Sequence, residues 1–119
     1  MTTDSAPVIT RLRSAFEARD LDTLAGLLAD DVRWGDGDHP RTCRNAQQVL
    51  STFARAMDDA EATITEMVEG SNGILCGLDV HWRDGRQVEL FQVFLLRDGR
   101  VAEIRGYDDR HSAAQAAGL

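Results

Sequence analysis

The chain has 119 residues, 43% of them hydrophobic and 28% charged, which makes one ordinary domain with apolar material for a single core and too little for two. Its net charge is −7 at pH 7 and no Lys/Arg block exceeds a pair, so a surface that follows nucleic-acid phosphates is not expected. No run of eighteen apolar residues occurs, and "MTTDSAPVIT" has neither a basic start nor a signal-peptide core, so the expectation is a cytoplasmic chain without a membrane span.

Pro7 suits a first helical turn, with Asp4 or Ser5 as cap, and Val8, Leu12 and Phe16 recur every four residues. This predicts a helix over roughly 6–18. Asp20 caps a second helix whose stripe is Leu21, Leu24, Leu27 and Leu28, ending near Asp30. Asp30 is badly placed for the dipole of that helix, so Arg33 or Arg44 is expected to compensate it. "VRW" then reads as a short strand entering a loop from Gly35 to Arg44. Asn45 with Gln48 three residues on resembles a capping box, and it opens a third helix with Val49, Leu50, Phe53 and Met57 on its apolar face.

From Thr63 the hydrophobic period changes to two, and strands are expected at about 62–69, 74–83, 86–97 and 100–108. "RDGR" occurs at 83–86 and again at 97–100, an antiparallel hairpin signal. In the first hairpin a two-residue loop would set Asp79 and His81 on the face of Leu90, Gln92 and Phe94. A three-residue loop with a left-handed glycine would set Ile74, Cys76, Leu78, Val80 and Trp82 there instead. The second is preferred, because the first buries a carboxylate. In the last strand "VAEI", apolar at 101 and 104, hints at a bulge, leaving either Asp108 or Tyr107 and Arg105 on the inner face. Asp109 caps a last short helix, "RHSAAQAAG".

The opposite face of the third strand carries Phe91, Val93 and Leu95, too apolar for water, and a second subunit is the expected cover, making a homodimer through the outer sheet face. The fold class is therefore α+β: one domain spanning 1–119, with three N-terminal helices on a curved, mostly antiparallel sheet that forms a conical pocket. Cys43 and Cys76 lack metal or redox spacing and read as free thiols. His81 and His111 read as surface residues.

"AFEARDLDTLAGLLADDVRW" and "DGRVAEIRGYDDR" resemble the helix–strand joint and the final hairpin of the nuclear transport factor 2-like superfamily, in its SnoaL-like polyketide cyclase and ketosteroid isomerase-like branches. The resemblance covers nearly the whole chain and implies the cone-shaped fold. It leaves the activity open, since such folds host isomerases, cyclases, dehydratases (lyases), hydrolases and proteins without chemistry. By this resemblance Asp36 falls at the general base of the isomerase branch, Gln92 at its protonated acid and Leu12 at its tyrosine donor. Leucine donates nothing to an oxyanion, so steroid isomerisation is not expected. The cyclase branch points to Asp108 and Gln92 on the last strands.

Asp36, in a glycine-flanked loop beside Trp34, is either a solvated turn aspartate or a base whose pKa is raised by lost hydration. His39 is its proton partner or a surface imidazole. A metal at Asp36, Asp38 and His39 is not expected: the EF-hand pattern would need carboxylates where Pro40 and Gln47 stand. Gln92, the one polar residue on an apolar face, must find partners or face a cavity. The expected lining of that cavity is Gln92, Trp34, Phe53, Met57, Leu90 and Phe94, with Asp36, His39 and Asp108 as catalytic residues and no cofactor. The ligand is then a small apolar or aromatic molecule, either bound without reaction or cyclised, isomerised or dehydrated by acid/base chemistry.

Overall fold

Local signals fix the helices of this computed structural model, which describes residues 7–36 and 39–119, with the side chains of 36–42 outside the description. The first helix, α1 (Val8–Ala18), starts after Pro7 with no side-chain cap bond, and the expected caps Asp4 and Ser5 lie outside the described residues. It ends at Arg19, whose backbone is left-handed (φ 55°). Asp20 caps α2 (Leu21–Leu27) by accepting from the Thr23 N–H at 3.1 Å and the Thr23 hydroxyl at 2.6 Å. Those two bonds, the hydroxyl's first, hold its carboxyl below the ordinary aspartate value.

The second helix stops at Leu27, earlier than the leucine stripe suggests, because strand pairing takes over at once. β1 (Leu28–Asp36) runs parallel to the last strand, Leu28 opposite Val101 and Trp34 opposite Ile104. Asp30 and Asp31 therefore lie within a strand and do not close a helix. Asp30, for which Arg33 or Arg44 is the expected partner, forms no ion pair among the described residues, whereas Asp31 pairs with Arg97, and that guanidinium lowers its pKa. In place of the expected long loop the chain folds back as β2 (His39–Cys43), with Trp34 opposite Cys43 and Asp36 opposite His39. Pro40 concealed this strand, yet an edge strand tolerates a missing ladder donor.

Asn45 opens α3 (Ala46–Asp59): its side chain accepts from the Gln48 N–H at 2.9 Å, while the Gln48 side chain accepts from the Arg44 N–H at 2.7 Å. This is a capping box displaced by one residue at its return bond. There follow β3 (Ala60–Glu69), β4 (Ile74–Trp82), β5 (Gln87–Arg97), β6 (Arg100–Tyr107) and α4 (Arg110–Ala117). The six strands form one sheet in the order β2-β1-β6-β5-β4-β3, antiparallel except at β1–β6.

The two Asp-Gly turns differ, and the difference sets which side chains share a face. At 83–85 the loop has three residues with Gly85 at φ 97°, closed by Trp82 and Arg86, so Cys76 stands opposite Gln92 and Leu78 opposite Leu90. This is the preferred register. At 98–99 both residues have positive φ, 55° and 79°, the signature of a two-residue type I′ turn. A register shift then follows between Leu95 and Leu96, so that Val101 and Ile104 both reach the core, as the "VAEI" spacing suggested.

Helices α1 to α3 bury the inner face over Leu12, Leu24, Val49, Ile74, Phe94 and Ile104. The outer face carries a second apolar cluster in which Leu75, Phe91 and Val93 pack beneath Ala113 and Ala117 of α4. The cover expected from a second subunit is thus supplied by the chain itself. Arg110 clasps Glu66 on β3 through two bonds of 2.8 and 3.0 Å, and the 71–73 turn binds the carbonyls of Ala117 and Gly118, so both ends of α4 are tied down. No described helix is long and apolar enough to cross a membrane.

Candidate functional site

At one end of the sheet β1, β4 and β6 finish while β3 and β5 begin, and α1 and α3 also end there. Beneath that end lies a cavity of about 510 Å³, within the range of small-molecule sites. It exists because small residues stand where large ones would fill it: Ala56 on α3 and Ala60 and Ala62 on β3 all border it. Its aromatic wall is a stack of Trp34 on Phe53 at 4.5 Å between ring centroids, with Phe16 edge-on to Phe53 at 5.2 Å.

Gln92 enters this apolar space from β5. Its Oε1 is the one buried side-chain polar atom without a hydrogen-bond partner among the described residues. A buried acceptor left unmade costs about 1–3 kcal/mol, so the cavity holds a polar contact that nothing described in the chain uses. Trp34, Phe53, Met57 and Leu90 line the same space.

Phe94 does not. It stands one register row deeper than Gln92, opposite Ile74 and Ile104, and is fully buried against Phe16 at 5.7 Å. Asp108 also departs from expectation. β6 ends at Tyr107, leaving Asp108 exposed in the bend that carries the chain to the Asp109 cap of α4, and it does not line the cavity. Arg105 and Tyr107 belong to the outer face: they stand opposite Val93 and Phe91, and Arg105 pairs with Glu103 at 2.8 Å.

Asp36 is the last residue of β1. Its backbone stands opposite His39 across the hairpin and opposite Gly106 on β6, and Gly106 in turn faces Gln92. Positions 36, 106 and 92 thus form one row across three strands, about 10 Å from end to end. The side chains of Asp36 and His39, and Asp38 altogether, lie outside the described residues. Among the described residues no group of three or more His, Cys, Asp or Glu converges as metal ligands would.

Sequence reasoning missed several cavity residues. Phe16 and Trp82 were legible as inward-facing but not as cavity walls. Arg19, Glu17, Thr52 and Thr63 carry no periodic signal. Both cysteines are buried and free, and burial pushes the Cys76 thiol up to about 12, far from a nucleophile's range.

The chain belongs to the SnoaL-like domain family, whose model matches residues 9–104. A search of the curated proteins finds no match. Among solved structures it is similar to a cystatin-fold protein from Novosphingobium aromaticivorans (TM-score 0.73, 15% identity, 87% of this chain and 99% of that one). It is also similar to a putative polyketide cyclase from Sinorhizobium meliloti (TM-score 0.69, 21% identity, 90% and 100%). A third is a protein of ketosteroid isomerase-like fold from Catenulispora acidiphila, in complex with trimethylamine (TM-score 0.64, 19% identity, 99% and 95%). At these identities the likeness establishes the NTF2-like α+β fold and no activity.

Proposed function

We propose that the protein binds a small apolar or aromatic molecule in the 510 Å³ cavity and acts on it by cofactor-free acid/base chemistry: cyclisation, isomerisation or dehydration. The observation that carries the reading is the unpartnered Gln92 Oε1 inside an otherwise apolar hollow. An acceptor so placed recognises a hydroxyl or N–H of the ligand, while the amide nitrogen of the same side chain donates to a ligand oxygen. Asp36, in the same register row as Gln92, is the general base of this reading, and His39 across the hairpin its proton partner. Gln92 orients the ligand so that the proton to be removed faces Asp36. Asp108, exposed beyond the strand end, takes no part, and steroid isomerisation is set aside because the fully buried Leu12 supplies no second oxyanion donor.

A binding-only function is the second reading. It is favoured by the cavity lining, where Glu17 is the one described carboxylate, and Glu17 is already paired with Arg13 at 3.4 Å. Two measurements separate the readings. Fluorescence titration with 1-naphthol and naphthalene, reading Trp34 and Trp82, tests the cavity: 1-naphthol should bind more tightly, and Gln92→Leu should erase that preference. NMR titration of the carboxyl groups tests the chemistry: Asp36 titrating above the ordinary carboxylate range supports a base, and an ordinary value leaves binding alone. On an identified substrate Asp36→Asn should lower the rate by about a hundred- to ten-thousand-fold.

A further inference from the structure

A second cavity, of about 280 Å³, lies beside the first and shares four lining residues with it: Arg19, Met57, Ala60 and Trp82. Its character is different. Where the inner hollow is walled by aromatic and aliphatic side chains, this one adds Asp58, Glu61, His81 and Arg83. The two lie side by side, an apolar chamber and a charged vestibule, with Arg19, Met57, Ala60 and Trp82 bordering both.

The vestibule is built around Arg19. The left-handed backbone at that residue is a conformation that usually falls to glycine or asparagine. It turns the chain at the end of α1, and the side chain spans to the opposite junction, where Nη2 donates to the carbonyls of Met57 at 3.2 Å and Ala60 at 3.0 Å. Carbonyls hold a guanidinium in place without neutralising it. Two of its five N–H donors are used there, and Nε and Nη1 have no partner among the described residues. Neither Arg19 nor Arg83, the two arginines of the vestibule, forms an ion pair among the described residues, but only Arg19 is held in place by side-chain hydrogen bonds there. Asp58 and Glu61, the rival charges, are held by no side-chain hydrogen bond among the described residues, so the fixed partner in the vestibule is a cation with open donors.

From this geometry we infer that the ligand is amphipathic, with an apolar body in the inner cavity and an anionic end, a carboxylate or a group of like charge and shape, received by Arg19. This rests on the reading of the inner cavity as an apolar ligand site. A guanidinium held in advance loses little further freedom on pairing, and its fork matches a carboxylate's two oxygens. Its bonds to Met57 and Ala60 account for its position. They do not account for three donors aimed elsewhere.

Three naphthalene probes of one shape and different charge test it: 2-naphthylacetate, 2-naphthylacetamide and 2-(2-naphthyl)ethylamine, titrated at pH 7 against the full chain by calorimetry. The acetate should bind about tenfold or more tightly than the amide, the margin of a charge-assisted hydrogen bond over a neutral one. Arg19→Met should erase the acetate's advantage, the acetate losing about tenfold more affinity than the amide, which gives up only the weaker bond of a neutral acceptor. Should that variant fail to fold, the wild-type ranking still decides. Acetate no better than amide, or amine tightest, overturns the anion site while leaving the cavity reading intact. If none of the three binds, the cavity reading falls and the anion site with it. Equal loss of acetate and amide in folded Arg19→Met means that Arg19 only braces the α1–α3 junction, which also overturns the proposal.

Discussion

Gln92 and Gly106 stand opposite each other on β5 and β6, so the amide that enters the cavity has a neighbour with no side chain to satisfy it. The backbone of Asp36 lies beyond that glycine in the same row. Replacing Gln92 by leucine removes the unpartnered acceptor and keeps nearly the same volume. The variant should be more stable than the parent by about 1 kcal/mol in urea denaturation and should lose its preference for hydroxylated aromatics. A clear loss of stability would mean that Gln92 is bonded within the folded chain.

The cavity is kept open by alanines, and this gives a prediction independent of polar groups. Ala56→Leu projects about three extra heavy atoms into the space bordered by Phe53, Ala60 and Ala62. Burying that apolar surface should stabilise the fold by about 1–2 kcal/mol while abolishing binding of naphthalene-sized probes. Destabilisation would show that the hollow is too small to accept the side chain without strain.

The inner face was legible because period and turn chemistry agreed. Burying Asp79 was the cost of the wrong register, and the left-handed Gly85 realises the register that avoids it. The outer face was legible as apolar, but what covers it was not: an alanine-rich helix has too weak a stripe to announce a partner, and the Arg110–Glu66 bridge joins residues far apart in sequence. β2 was hidden by Pro40 and by polar neighbours. Asp108 and Phe94 were misplaced for one reason, that residues alternating onto the correct face still differ in depth. Depth depends on where each strand ends, and Phe94 lies a row below the cavity while Asp108 lies past the last ladder pair.

Because Phe91 and Val93 pack under Ala113 and Ala117 of the same chain, their truncation should act on folding. Val93→Ala should cost about 1–3 kcal/mol in urea denaturation. Phe91→Glu, which buries a carboxylate without a partner, should largely unfold the protein by circular dichroism. A Phe91→Glu variant that stays folded and changes only its sedimentation would show that this face meets another molecule.

The clasp on α4 should be sensitive to acid. The Arg110 guanidinium, bonded to Glu66 at 2.8 and 3.0 Å, holds that carboxyl below its ordinary value of 4.5. A carboxyl with a lowered folded-state pKa adds stability that is fully present above the unfolded value and is lost as pH falls through the folded one. The Ser112 bonds hold the Asp109 cap low in the same sense, so acid weakens both attachments at the start of α4 together. Glu66→Gln should therefore be less stable than the parent at pH 7. That difference should be constant down to about pH 5 and then shrink to nothing as the pH falls below the folded value of Glu66. Urea denaturation of both proteins across this range measures it, and a difference that persists undiminished in acid would mean that Glu66 supports α4 by packing and not by its charge.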